Sequence, residues 1–220
     1  MFRFYLDMQI LNQKNNVNFT SRPIHCVNIR DADNKLVKVV FSKLDPKCGV
    51  DKAAIKKLQN SWEVPHELMK DFYAEFSCPK DGKEFNAIEL PGIGPLHKKI
   101  LGVVYSKTYM LHNQERMSMP LLITNPDLKH ENGLRKLKGI GEIMLGEVFN
   151  RAKKTKAPEL EFNSEANKFF RKFFSRAKVK ITDDVNYNPY NSFFHIGQED
   201  FDKCIDWCQK KHKTNFSATI

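Results

Sequence analysis

A strand-forming run, a basic glycine turn and an amphipathic segment succeed one another between residues 120 and 152, and this succession constrains the fold more than any other feature of the chain. Pro120-Leu121-Leu122-Ile123-Thr124 is a short apolar run fit for a buried strand. Leu134-Arg135-Lys136-Leu137-Lys138-Gly139-Ile140-Gly141-Glu142 follows after a polar loop. Gly139 and Gly141 lack a β-carbon, so the backbone there can turn tightly and bring its N–H groups close to a ligand, while Lys136 and Lys138 add positive charge. Ile140, Met144, Leu145, Val148, Phe149 and Ala152 then recur at helical spacing and predict a helix that buries one face against a sheet. The first N–H groups of a helix have no intrahelical partner and lie at the positive end of its dipole, so the unit suits an anion such as a phosphate. Glycines before a helix also simply make turns, and the pair alone does not choose between these readings.

With 220 residues the chain has the length of one domain with a sizeable core. No run approaches the roughly 18 apolar residues that span a bilayer, and the N-terminus shows no basic-then-apolar leader, so a soluble protein is expected. Cys26, Cys48, Cys78, Cys204 and Cys208 are scattered without a CxxC pair, which fits reduced thiols in a cytoplasmic protein and no metal site. The net charge of +10 favours contact with polyanions or acidic surfaces without choosing among them.

Along the chain, residues 1–22 read as an Asn-rich extension, 23–198 as the main domain and 199–220 as a C-terminal helix. Pro23–Arg30 and Leu36–Phe41 predict a hairpin across Asp31–Asn34. Asp51 is a candidate cap for a helix bearing Ile55, Leu58 and Trp62 on one face, and Leu68, Phe72 and Phe76 mark a second. Glu84–Leu90 and Lys99–Tyr109 read as strands, the latter with Leu101, Val103, Tyr105, Lys107 and Tyr109 on one face. The second glycine stretch, Pro91-Gly92-Ile93-Gly94-Pro95, reads as a turn because no helix follows it. Leu111–Arg116 read as a polar connection. After the glycine turn and its helix come a strand at Glu159–Phe162 and a helix with Ala166, Phe169, Phe170, Phe173 and Phe174 on its apolar side, with Asn163-Ser164 as its cap. Lys178–Ile181 and Ser192–Ile196 are further strands, and Glu199–Lys211 a last helix. The order β-β-α-α-β-β-β-α-β-α-β-β-α is a mixed α/β pattern.

Four segments in this order resemble the GCN5-related N-acetyltransferase (GNAT) superfamily, whose signature is a strand near a proline, Q/R-x-x-G-x-G/A opening a helix, a strand, and a helix with A-x-x-F-Y-x-K-x-G-F. The counterparts are Leu121–Pro126, Lys136–Gly141, Leu160–Ser164 and Ala166–Phe174. The resemblance implies a single domain with a central, mostly antiparallel twisted sheet, splayed around the cofactor and flanked by helices. It implies acetyl-coenzyme A as cosubstrate. The pyrophosphate would lie on backbone N–H groups of Leu137, Lys138, Gly139, Ile140, Gly141 and Glu142 beside Lys136, and the pantetheine arm would pair with Leu122, Ile123 and Thr124 where that strand splays from Glu159–Phe162. Asn163, Phe169 and Phe170 complete the cofactor-side set.

Transfer of acetyl to an amine by direct attack is the activity implied, with a small molecule, a protein or a charged tRNA as acceptor; a homodimer stays open. By analogy with the family, Glu89, Tyr105 and Tyr109 are the candidate general-base positions on the strands facing the acceptor cleft. His112, His130 and His195 have no catalytic partner at a telling spacing and read as ordinary. Lys136 replaces the usual Gln or Arg, and Phe170 stands where many members carry a tyrosine that protonates the departing thiolate. A phenyl ring cannot donate a proton. The alternatives are therefore a weak or inactive coenzyme A-binding interaction protein and, from the charge, an acetyltransferase acting on charged tRNA.

Overall fold

The computed structural model describes residues 21–31, 33–62, 66–78, 80–91, 99–125, 137–164, 166–181 and 192–216. Lys136, His130, the glycine stretch 92–95 and residues 1–20 lie outside the described residues. In chain order the elements are β1 (Ser21–Asp31), β2 (Leu36–Leu44), α1 (Gly49–Ser61), α2 (His66–Ser77), β3 (Lys83–Leu90), β4 (Lys99–Leu111), β5 (Gln114–Thr124), β6 (Leu137–Lys138), α3 (Ile140–Lys154), β7 (Glu159–Ser164), α4 (Asn167–Ala177), β8 (Ser192–Gly197) and α5 (Gln198–His212). The strands form one sheet in the order β6-β1-β2-β3-β4-β5-β7-β8, antiparallel except between β5 and β7.

Each face of this sheet carries its own core. On one side Leu44, Phe85, Ala87, Val103, Tyr105 and Ile123 pack against Ile55 of α1 and Met69, Phe72 and Phe76 of α2. Phe85 lies between aromatic neighbours, edge-on to Phe72 and Phe76 and stacked on Tyr105 at 5.0 Å. On the other side Val27, Val39, Phe41, Leu101, Val104 and Leu160 meet α3, α4 and α5.

Helix α3 is buried on more than the face its periodicity predicts. Ile143, Gly146, Glu147 and Asn150 are buried together with the expected apolar positions, because α5 covers the side that the sheet leaves free. The aromatic face of α4 behaves as its spacing predicts: Phe149 of α3 is flanked by Phe173, Phe174 and Phe201.

Several local expectations are corrected. Asp51 does not cap α1, since Cys48 holds that position; its carboxylate instead reaches back to accept the Asp45 N–H at 2.8 Å. Asp51→Ala should therefore cost about 1 kcal/mol, the usual worth of one such bond, read as a lowered urea midpoint. Leu68 is exposed, and Met69 takes its place beside Phe72. Residues Leu111–Arg116 are not a polar connection but the tip of a hairpin: His112 and Asn113 both have positive φ, the two-residue turn whose twist matches antiparallel strands. Lys178–Ile181 forms no strand, and Ala166 rather than Asn163 or Ser164 precedes α4.

Two strand irregularities shape the region of the glycine turn. The register between β3 and β4 slips at Leu101, which puts Leu101 in the α3-side core while Val103 points to α1 and α2. The register between β4 and β5 slips at Met119 and Pro120, where two steps on β4 match three on β5. Proline has no N–H to give a ladder, and a bulge is one of the places where a strand accepts it.

Candidate functional site

The bulge at Pro120 opens the sheet. Strands β5 and β7 run parallel and pair only at Met117 with Leu160 and Ser118 with Glu161. Beyond those pairs β5 continues through Leu122, Ile123 and Thr124 paired with β4, and among the described residues no strand pairs with its other edge. Leu122 is half-buried against the α3-side core, Ile123 is buried on the opposite face, and Thr124 is half-buried at the end of β5.

The glycine turn lies at the same end. Leu137 and Lys138 form the two-residue strand β6, which pairs with Asp31 and Arg30 of β1 and anchors the turn to the far edge of the sheet. Gly139 caps α3 with φ of +89°, a conformation open to glycine, and a β-carbon there would run into the His212 ring of α5. The first helical bond is from Ile143 N–H to the Gly139 carbonyl at 3.0 Å, so the N–H groups of Ile140, Gly141 and Glu142 precede the helical ladder. Of the six residues that the sequence assigns to a phosphate, these three and Gly139 form the helix terminus, while Leu137 and Lys138 belong to the sheet.

Side chains around the turn separate into an apolar and a charged wall. Phe169, half-buried, lies over Gly141 together with Leu122. Glu142 turns the other way, where Lys211 and His212 of α5 bond its carboxylate at 2.5 and 2.9 Å and Arg176 of α4 stands 3.7 Å off. Burial alone would raise this carboxyl, but the His212 and Lys211 bonds outweigh it and hold it below the usual range. Phe170 is buried in contact with Phe162, Phe169 and Phe194, with ring centroids 4.7, 4.9 and 5.5 Å away. It is a packing residue at the base of the gap.

A cavity of about 280 Å³ lies where β5 and β7 diverge, lined by Lys107, Tyr109, Ser118, Pro120, Glu161 and Asn163 among others, with the exposed Phe193 at its edge. A second, of about 330 Å³, lies across Pro120 beneath α2 and includes Tyr105 and Glu75. Tyr109 and Tyr105 thus face neighbouring cavities on the α1–α2 side of the sheet. Glu89 is buried on that side, accepts a bond from the Ser42 hydroxyl at 3.1 Å and lines neither cavity.

Two lining residues of the first cavity, Tyr109 and Glu161, belong to a polar network that local sequence did not reveal. The Tyr109 hydroxyl donates to Glu161 at 2.5 Å, and Arg116 donates to both Glu159 and Glu161. His195 stands 3.7 and 3.9 Å from the same two carboxylates. Donor atoms of Glu159, Glu161 and His195 lie within 4.8 Å of one another, the spacing of a cation site, but the Arg116 guanidinium already supplies positive charge there. Burial first, and then the bond to Glu161, pushes the Tyr109 phenol up to about 12. Burial would raise Glu161 too, but its bonds with Tyr109, Glu159 and Arg116 outweigh that and keep it below the usual carboxylate range. The signal was available: Glu159-Leu160-Glu161-Phe162 alternates, which puts both carboxylates on the face opposite the core.

No protein-family model matches the chain, and no curated protein matches it by sequence. Solved structures do match. An uncharacterised protein from Bacillus halodurans is 12% identical over 86% of this chain and 99% of its own, with a TM-score of 0.52. A GNAT-family structure from Desulfovibrio desulfuricans is 14% identical over 73% of this chain and 99% of its own (TM-score 0.47), and the N-acetyltransferase PseH of Campylobacter jejuni is 13% identical over 73% and 98% (TM-score 0.43). Among the described residues, the mostly antiparallel sheet, its one parallel pair that opens beyond Ser118 and Glu161, and the glycine-capped helix beside that opening form the mixed α/β arrangement that the resemblance to the GCN5-related N-acetyltransferase superfamily implies.

Proposed function

We propose that this protein transfers an acetyl group from acetyl-coenzyme A to the amine of an acceptor. The observation that carries the reading is the opening between β5 and β7 beside the N-terminus of α3. An extended arm can pair with the free edge of β5 through Leu122–Thr124 while a pyrophosphate lies on the N–H groups of Gly139, Ile140, Gly141 and Glu142. A thioester held along that edge ends at the cavity of Tyr109 and Glu161. The acceptor amine, once deprotonated, attacks the thioester carbonyl; the carbon–sulfur bond breaks, and the thiolate leaves with a proton taken from solvent or a nearby hydroxyl.

Within this reading Glu161, ionised through the neutral range, holds the amine and receives its proton directly or through water. Tyr109 keeps its proton up to about pH 12 and orients Glu161 by its hydrogen bond. Tyr109→Phe should lower kcat about tenfold, the worth of one lost hydrogen bond of about 1.4 kcal/mol, with acetyl-coenzyme A affinity unchanged. Release of free thiol with a panel of primary amines tests the activity: turnover above the rate in water supports it, and none with any amine contradicts it.

Phe170 favours a second reading. Its burial among three phenylalanines leaves no hydroxyl at the position where the resemblance expects one, so a protein that binds coenzyme A without efficient transfer is the alternative. Tight binding without thiol release would be its signature. Among the described residues no helix is long and apolar enough to cross a membrane.

A further inference from the structure

The cavity at the β5–β7 opening is lined by groups of both charge signs, and this bears on what the acceptor carries besides its amine. Glu161 lines the cavity and shares a single guanidinium, Arg116, with a second carboxylate, Glu159. These three side chains together carry one negative charge in excess. The cationic lining residue is Lys107, half-buried on β4 on the same strand face as Tyr109. Lys107 makes no hydrogen bond or ion pair with any described residue, whereas Lys83, its neighbouring cation, is matched to Glu75. The Ser118 hydroxyl, opposite Lys107 in the ladder, is buried and also has no partner among the described residues.

A lysine held in a cavity wall with no counter-charge among the described residues, beside a hydroxyl with no partner among them, is arranged for an anion. An excess carboxylate in the lining of the same cavity is arranged for a cation. From this we infer that the acceptor is a zwitterion of amino-acid size: its ammonium group sits at Glu161 beside the opening, and its carboxylate pairs with Lys107 and Ser118. The volume of about 280 Å³ lies just below the range of pockets that enclose drug-sized ligands, which fits a small acceptor rather than a folded protein surface. The exposed ring of Phe193 at the rim is placed to cover an apolar side chain. This inference rests on the acetyltransferase reading for its chemistry, but its binding part stands by itself.

The test compares free amino acids with their carboxamides, which keep size and amine and lose the negative charge, and with the corresponding decarboxylated amines. Binding to the full chain is measured by calorimetry with and without coenzyme A, and kcat/KM is measured with acetyl-coenzyme A. At least one amino acid is expected to exceed its amide and its amine by tenfold or more in both readouts. Lys107→Ala should bring the three within about threefold, and Lys107→Glu should reverse the order in favour of the amine. Equal or better binding of the amides, as a peptide N-terminus would give, overturns the inference, as does a carboxylate preference that survives Lys107→Glu. If acetyl-coenzyme A fails to bind while the amino-acid preference is found, the transferase reading falls and the binding site stands. If acetyl-coenzyme A binds and amines react without carboxylate preference, only the inference falls.

Discussion

Gly141→Asp is expected to weaken acetyl-coenzyme A binding about a hundredfold while leaving the protein folded. Residue 141 sits in the first turn of α3, and its own N–H is among those proposed to hold the pyrophosphate. A carboxylate there faces phosphate charge at a few ångström; with the dielectric of a partly open site, one such pair costs about 4 kcal/mol at 4 Å, and solvent screening reduces it toward the 2.7 kcal/mol that a hundredfold represents. The backbone at 141 has ordinary helical geometry, and a β-carbon would lie 3.2 Å from the Phe169 ring and 3.7 Å from Leu122, so the ring must move only by tenths of an ångström. Gly141→Ala separates the two effects: it makes the same steric demand without the charge, and should lose no more than a few-fold. Calorimetric affinity for acetyl-coenzyme A, with the thermal midpoint of each variant as control, checks this. Unchanged affinity in Gly141→Asp would remove the phosphate from this helix end.

The second large effect concerns stability and lies away from the cavity, in the core between β1 and α3. His25 is buried, stacked on Phe41 at 5.4 Å and edge-on to Phe216, with Nε2 3.7 Å from the Glu147 carboxylate. That separation is too long for a hydrogen bond, and neither ring nitrogen has one among the described residues. Burial, assisted by Lys154, pushes His25 down to about 4; burial pushes Glu147 up to about 8, against Asn150 and Lys154, which pull it down. Near neutrality the pair is therefore an uncharged imidazole beside an uncharged carboxyl rather than an ion pair. Because the folded-state value of Glu147 is raised, its stabilising contribution is complete below its unfolded value near 4.5 and is lost as pH rises to about 8. His25, depressed, does the opposite between about 4 and 6.5, so the two largely cancel there. From pH 6.5 to 8 only Glu147 acts, and stability should fall by roughly 2 kcal/mol, at about 1.4 kcal/mol per unit. Glu147→Gln should abolish that slope. Urea midpoints across pH 6 to 9 measure it; a flat parent profile, or an equal slope in the variant, contradicts the account.

How much of this was legible in the sequence varies with the range of the interaction that decides it. The glycine turn, α3, the aromatic face of α4 and the hairpin of β1 and β2 follow from local spacing and turn chemistry, and they are where the sequence puts them. The course of β4 and β5 was only partly legible, because a bulge is set by the partner strand: Leu101 changes face through its register with β3, and Pro120 marks an interruption within β5 rather than its start. The full burial of α3 was hidden for a similar reason, since Ile143, Gly146 and Asn150 read as a solvent face until α5 folds over them. In the cavity, Tyr109 was named through the family resemblance. Glu161, Arg116, His195 and Lys107 come from four separate segments, and only the tertiary fold brings them together.

The claim on which the rest depends is that the opening between β5 and β7 accepts acetyl-coenzyme A. Titration calorimetry of the full chain with acetyl-coenzyme A tests it most directly. The account predicts saturable binding of one equivalent with a dissociation constant of about 100 µM or tighter; no saturable heat at millimolar acetyl-coenzyme A would contradict it.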